Sequence, residues 1–236
     1  CVLFGIADEE RAAKVISSMP VGEFGPPIFS PQIVSQPDYH NNGVWPYVTS
    51  FWGKAAAKVG NETALMHALA CNVRTASIYA TNYENYSFNT GNPYTTQINS
   101  PNMLWGLSGF MGLFHRTFFG LEFTKEGLAL KPFVPTVLAG TRKLEAFPYR
   151  GLKLDITVSG SGNEIASCLV DGKEAEAFIP ADWTGNHSIE IVMKGEHKPS
   201  SVNMVGYIGM PEVPAVKAEA GKLQWNAISG AAKYWV

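Results

Sequence analysis

Charge is scarce in this chain. Only 16% of its 236 residues are Asp, Glu, Lys or Arg, and 18 basic against 20 acidic side chains leave a formal net charge of −2. So neutral a composition lacks the charge of a disordered tail. It also lacks the basic surplus with which nucleic-acid-binding modules neutralise phosphate, so no nucleic-acid partner is expected. Cysteine is scarcer still. Cys1, Cys71 and Cys168 are odd in number, far apart and never spaced Cys-x-x-Cys, which excludes a zinc site and a disulfide framework and leaves no metal to expect. No apolar run approaches the ~20 residues of a membrane-spanning helix. No signal peptide is visible at the start, which reads Cys1-Val2-Leu3-Phe4 without an initiator Met, and the chain stops at Tyr234-Trp235-Val236 inside an expected strand. It reads as a fragment of a longer protein.

What is plentiful is apolar, aromatic and turn-forming. Hydrophobic residues make up 46% and aromatics 12%, with 23 Gly and 15 Pro, a composition that suits a large, close-packed, loop-rich fold of one or two domains. Its character changes near Gly120. Before that point lie helical patterns. Asp8 to Ser18 has an acidic first turn and Ala12, Val15 and Ile16 at helical spacing. Residues 44–59 start through Trp45-Pro46, with a first-turn proline, and end at Gly60. Asn61 caps a third helix running to about Ala80. Asn99-Ser100-Pro101 predicts the start of a fourth, which ends near Phe119-Gly120. That last helix is apolar on nearly every side and is expected in the interior of a multi-helix assembly. Its Gly106-x-x-Gly109-x-x-Gly112 spacing suits close helix packing.

From Leu121 the period is two. Leu121–Phe123 and Leu128–Leu130 flank a turn, Lys153–Val158 and Ile189–Met193 alternate, and Asp171-Gly172 between Cys168–Val170 and Ala175–Ile179 is a hairpin signal. These strands imply an antiparallel β-sandwich. Lys194–Ser201 is polar and linker-like. A last unit follows Pro211-Glu212-Val213-Pro214, with Leu223-Gln224-Trp225 and Tyr234–Val236 as strands. The expected class is mainly α followed by β, divided as 1–119, 120–198 and 199–236.

Chemistry concentrates in two stretches. Residues 81–100, rich in Asn, Tyr and Thr, form a long loop between helices, a feature that in a compact domain is usually functional. Amides and tyrosines together suit a sugar, whose C–H faces stack on rings while its hydroxyls need neutral hydrogen bonds. Glu84 is the only acidic residue between Glu62 and Glu122; a firmly held carboxylate beside Tyr83 can act as a general base, or it can be an ordinary loop glutamate. The second stretch is Asp38-Tyr39-His40-Asn41-Asn42-Gly43-Val44-Trp45-Pro46-Tyr47. Tyr39, His40, Asn42 and Trp45 can build a sugar subsite there, or serve as helix cap and core. Trp52 reads as core. Trp105 is a ligand platform or a core residue, and His67 and His115 have no partners at metal spacing.

These two stretches resemble the α/α six-hairpin glycosidases, a group that includes glycoside hydrolase family 63, mannosylglycerate hydrolases and the amylo-α-1,6-glucosidase domain of debranching enzymes. Tyr39–Pro46 is similar to their Trp-Pro helix start. Glu84-Asn85-Tyr86 followed by Thr90-Gly91 is similar to the loop bearing their general base, and the helix carrying Trp105 to the one that follows. Lys131–Pro135 with Tyr149-Arg150-Gly151 looks like the attached sandwich, and Pro214–Val236 like the start of a fibronectin type III domain.

The resemblance implies the C-terminal hairpins of an (α/α)6 toroid, a β-sandwich and a truncated type III module, in a periplasmic or secreted, exo-acting, inverting glycoside hydrolase. Glu84 would be its general base, and Tyr39, His40, Asn42, Trp45, Tyr83 and Trp105 would line the pocket for an oligo- or polysaccharide, with no cofactor. The family's general acid, an Asp upstream of the Trp-Pro helix, has no counterpart here. A non-catalytic carbohydrate-binding or scaffold protein, or a lyase or phosphorylase, are the alternative readings.

Overall fold

Local chemistry places the first three helices as expected. In the structure, a computed structural model that describes residues 1–28, 30–33, 36–206 and 214–228, Asp8 accepts a hydrogen bond from the Arg11 amide at 2.8 Å and caps α1 (Glu9–Ser18). Trp45 holds an extended backbone ahead of α2 (Pro46–Lys58), so that Pro46 occupies the first turn, where no amide partner is lost. Asn61 accepts from the Ala64 amide at 2.8 Å and caps α3 (Glu62–Tyr79). The fourth helix departs from expectation. α4 (Leu104–Thr117) begins beyond Pro101, behind Met103, which makes no side-chain cap. The expected cap is occupied elsewhere: the Asn99 amide donates to the Asn85 and Pro93 carbonyls, both at 2.8 Å.

α3 and α4 both pack on α2. Gly109 allows the close approach, since a Cβ there would stand 3.3 Å from the Tyr47 Cα. Trp52, Ala56, Leu65, Ala68 and Leu113 fill the core between the helices, joined by Ile16 of α1. Trp52 is core, as read from its place in the helix.

These helices are not the closing hairpins of a toroid. The described residues hold four α-helices and fourteen strands distributed over several small sheets, which overturns the (α/α)6 expectation and the mainly α class. α4 shows the physical reason. Expected in an all-helical interior, it buries only Gly106, Gly109, Leu113 and Thr117, while Leu104 is 77% and Met111 47% exposed. Apolar composition measures how much surface a helix could bury, not how many neighbours it meets.

Three short strands organise the helical part. β1 (Pro20–Val21) follows α1, and β2 (Gly43–Val44), just before α2, pairs antiparallel with β3 (Tyr86–Ser87) in the long loop after α3. Beyond α4 come β4 (Leu121–Phe123) and β5 (Gly127–Leu130), a hairpin as predicted; with β10 (Phe178–Pro180) they form a three-stranded sheet in the order β10-β5-β4. The larger sheet runs β6-β7-β11-β8-β9, from β6 (Gly140–Tyr149), β7 (Leu152–Gly160), β8 (Glu164–Val170), β9 (Lys173–Glu174) and β11 (Gly185–Lys194).

Leu121, Leu128, Leu130 and Ile179 of the small sheet share one core with Leu154, Ile156, Ile189 and Ile191 of the large one. Asp171 (φ 51°) and Gly172 (φ 75°) make the tight turn foreseen, but the strand that returns along β8 is Lys173–Glu174 and not Ala175–Ile179, whose Phe178 and Ile179 pair with β5 in the small sheet. The sandwich is not antiparallel, however: β7 and β11 run parallel. Alternation marks which face of a strand is buried but carries no sign for its direction.

The polar stretch after β11 returns to the helices. Asn61 Nδ2 donates to the Ser201 carbonyl at 2.9 Å, Thr63 Oγ1 donates to that of Ser200 at 3.0 Å, and β12 (Asn203–Met204) lies parallel to β1. In the expected type III region, β13 (Val216–Glu219) and β14 (Lys222–Trp225) form a two-stranded antiparallel hairpin among the described residues. Pro211–Val213 and the expected strand Tyr234–Val236 lie outside the described residues.

Candidate functional site

Pairing of β2 with β3 brings together the two stretches that sequence reading had placed about forty residues apart. Alongside that ladder the Phe88 amide donates to the Asn42 carbonyl at 2.7 Å, and the Gln97 amide to that of Asp38 at 2.7 Å. The result is one surface built from residues 38–47 and 81–99, with the start of α4 beside it.

Glu84 is partly exposed on this surface and held by its backbone. Its amide donates to the Ser100 carbonyl at 3.0 Å, and next to it Asn85 and Asn99 are cross-linked through amide and carbonyl. The Tyr39 phenol is held above its ordinary range, first by burial and then by the charge of the Glu84 carboxylate and a hydrogen bond to it. Glu84 and Tyr39 therefore face each other, and the phenol stays protonated in neutral solution.

The other expected residues fall into two groups. His40, exposed, stacks on Trp45 at 5.0 Å and 14°; Trp105 meets Trp45 edge-on at 5.4 Å and stacks on Tyr47 at 4.9 Å. Trp45 itself is only 6% exposed, and its Nε1 donates to the Tyr39 carbonyl at 3.1 Å. It braces the loop, and the ring faces open to a ligand are those of His40 and of Trp105, which is 36% exposed.

Asn42 is likewise engaged internally. Its Nδ2 donates to Asp38 Oδ2 at 2.7 Å and Ser87 Oγ at 3.2 Å, and its Oδ1 accepts from Gln32 Nε2. Asn41 holds the same turn through Ile33 and Gln36. Gly43 is required by crowding, because a Cβ there would stand 1.8 Å from the Tyr39 carbonyl oxygen.

Tyr83 belongs to a second cluster that sequence reading only half found. Tyr79, Tyr83, Tyr86 and Tyr94 pack with ring centroids 5.7–6.1 Å apart. Tyr83 donates to the Tyr94 hydroxyl at 3.2 Å, and Tyr94 is 71% exposed. That hydrogen bond, ahead of burial, raises the Tyr83 phenol, and burial raises that of Tyr86. The recurrence of tyrosine at 79, 83, 86 and 94 was the available signal. With the Tyr83 and Tyr86 phenols shifted upward, these two are hydrogen-bonding partners and poor bases, and the carboxylate on the same loop is Glu84.

Other chemistry is absent from this surface. Cys71 lies 3.4 Å from His67 Nε2, but burial pushes its thiol up to about 12, the opposite of an activated nucleophile. Among the described residues no group of three or more His, Cys, Asp or Glu side chains could hold a metal ion. A cleft of about 290 Å³ is lined by Gly22, Glu23, Phe88, Asn89 and Met204–Gly206, and not by Glu84. No helix among the described residues is long and apolar enough to cross a membrane.

Compared with protein-family models the chain matches none, and no curated protein matches it. The resemblance to six-hairpin glycosidases is therefore withdrawn: its short motifs occur here in a fold that is not the family's.

Proposed function

We propose that the surface around Glu84 binds an oligo- or polysaccharide, and that Glu84 acts there as the general base of glycoside hydrolysis. The observation that carries this reading is one backbone-pinned, partly exposed carboxylate facing the neutral Tyr39 phenol, with aromatic clusters on the same loops. The rings offer stacking surface to sugar C–H faces, and the phenols offer hydrogen bonds to hydroxyls. In the reaction, water attacks the anomeric carbon and gives its proton to Glu84. The glycosidic bond breaks, and the leaving oxygen takes a proton from a second acid. Attack by a deprotonated water inverts the anomeric configuration.

Asp38, the other carboxylate of these loops, is tied through Oδ2 to Asn42. That tie favours a second reading, carbohydrate binding without hydrolysis.

One experiment separates the two. Reducing-end release and calorimetric binding are measured on the same soluble oligosaccharides for wild type and Glu84→Gln. The substitution should lower turnover by about 10²–10⁴-fold, the usual worth of a general base, with binding changed only a few-fold. Equal turnover by the two proteins would remove Glu84 from catalysis. Binding without turnover by wild type would establish the second reading, and neither binding nor turnover would remove both.

A further inference from the structure

On the large sheet, His187 is held from both ends. Its Nδ1 lies 2.7 Å from Asp171 Oδ2, and its Nε2 lies 3.2 Å from the Thr184 carbonyl oxygen. Both partners can only accept, so both ring nitrogens must donate, and a neutral imidazole carries a single N–H. Only the imidazolium closes both bonds. The geometry on the Asp171 side is fixed by the β8–β9 turn, because Asp171 Oδ1 accepts from the Ser188 amide at 2.9 Å and the Asp171 amide donates to the Ser188 carbonyl at 2.9 Å. On the other side Thr184 belongs to the β10–β11 connection, whose Trp183 ring lies 4.9 Å from the imidazole and is 37% exposed.

We propose that Asp171, His187 and Thr184 form a proton-operated latch. Closed by the imidazolium, it pins the β10–β11 connection and Trp183 against the β8–β9 turn; deprotonation breaks one of its two bonds and releases the connection.

The charges around His187 agree with this. The hydrogen bond to Asp171 raises its pKa, burial opposes the rise, and the Thr184 carbonyl adds to it. The same bond, with that from the Ser188 amide, holds the Asp171 carboxyl below its ordinary range. Across β7 the residue in register with His187 is Leu154, so the neighbouring Lys153 and Asp155 alternate onto the opposite face, as does Glu190 of β11 itself. Lys173 and Glu174 of β9 and Asp182 of the connection are exposed, and of all these charged groups only Asp171 acts on the His187 pKa.

The signs define a window. A histidine whose folded pKa is raised contributes fully below its unfolded value of about 6.5 and loses that contribution as pH rises through the folded value. An aspartate whose folded pKa is lowered contributes above its unfolded value of about 3.9 and loses it in stronger acid. The latch is therefore closed across mildly acidic pH and opens toward alkaline pH.

The test is a pH titration of the protein by ¹⁵N and indole ¹H NMR. His187 should show two protonated ring nitrogens at pH 6 and titrate above 6.5, and the Trp183 indole resonance should move with the same midpoint. In Asp171→Asn, which tolerates the turn's positive φ, the His187 midpoint should fall and Trp183 should no longer follow it. A wild-type His187 that is neutral at pH 6 would overturn the latch, as would a Trp183 resonance indifferent to the His187 titration. The wild-type spectra alone decide both points should the variant fail to fold.

Discussion

Between β4 and β11 the chain is held by alternation. Leu152, Leu154, Ile156 and Val158 of β7 enter one core beside Ile189, Ile191 and Met193 of β11, and the polar partners along each strand face outward. Around Glu84 nothing alternates. There the backbone is held by amides: Asn41 on Ile33 and Gln36, Asn42 on Asp38 and Ser87, Asn99 on Asn85 and Pro93. The contrast shows two ways to fix a shape. Apolar burial is non-directional and tolerates some sliding, whereas a buried amide satisfies its partners in one arrangement only. A surface that must hold a carboxylate against a phenol needs the second kind of order.

Three measurements would break or sharpen this contrast. The largest effect is expected in the sheets: Leu154→Ala removes a fully buried side chain and should cost about 2–5 kcal/mol in denaturant unfolding, with sugar binding unchanged while the protein is folded. Binding lost together with sheet stability would show that the two regions are a single cooperative unit. Smaller in energy, Gly43→Ala forces a Cβ against the Tyr39 carbonyl and should cost about 1–3 kcal/mol, felt chiefly as lost sugar binding. Intact binding would show that the turn does not position the surface. The smallest effect is the pH response of the sheets. Wild type should melt slightly lower at pH 8.5 than at pH 5.5, by the sign of the His187 shift, and His187→Gln should remove most of that difference. An equal pH response in the variant would assign it to other groups.

What could be read from the sequence was whatever a few neighbouring residues decide. Asp8, Pro46, Asn61 and the Asp171-Gly172 turn act within four residues of themselves, and each does what its chemistry dictates. Hidden features depend on distant partners. Asn99 has the chemistry of a helix cap and spends it on Asn85 and Pro93. α4 has the composition of an interior helix and meets too few neighbours to be one. Glu84 and Tyr39 were each legible as candidates, but their meeting depends on β2 and β3, two residues apiece and too short to signal a ladder. Trp45 reads equally as subsite or as core, because an aromatic residue looks the same in sequence whether its face is open or covered by His40.

The place of β11 has a consequence for assembly. It lies between β7 and β8, parallel to one and antiparallel to the other, yet both precede it in the chain, and β10 must first cross to the small sheet. The large sheet is thus completed from its middle, by its last strand. Until β11 arrives, β6–β7 and β8–β9 are separate hairpins with apolar faces and open inner edges, the state in which strands of different molecules join one another. The step that finishes the sheet is also the step that protects the chain from its own copies.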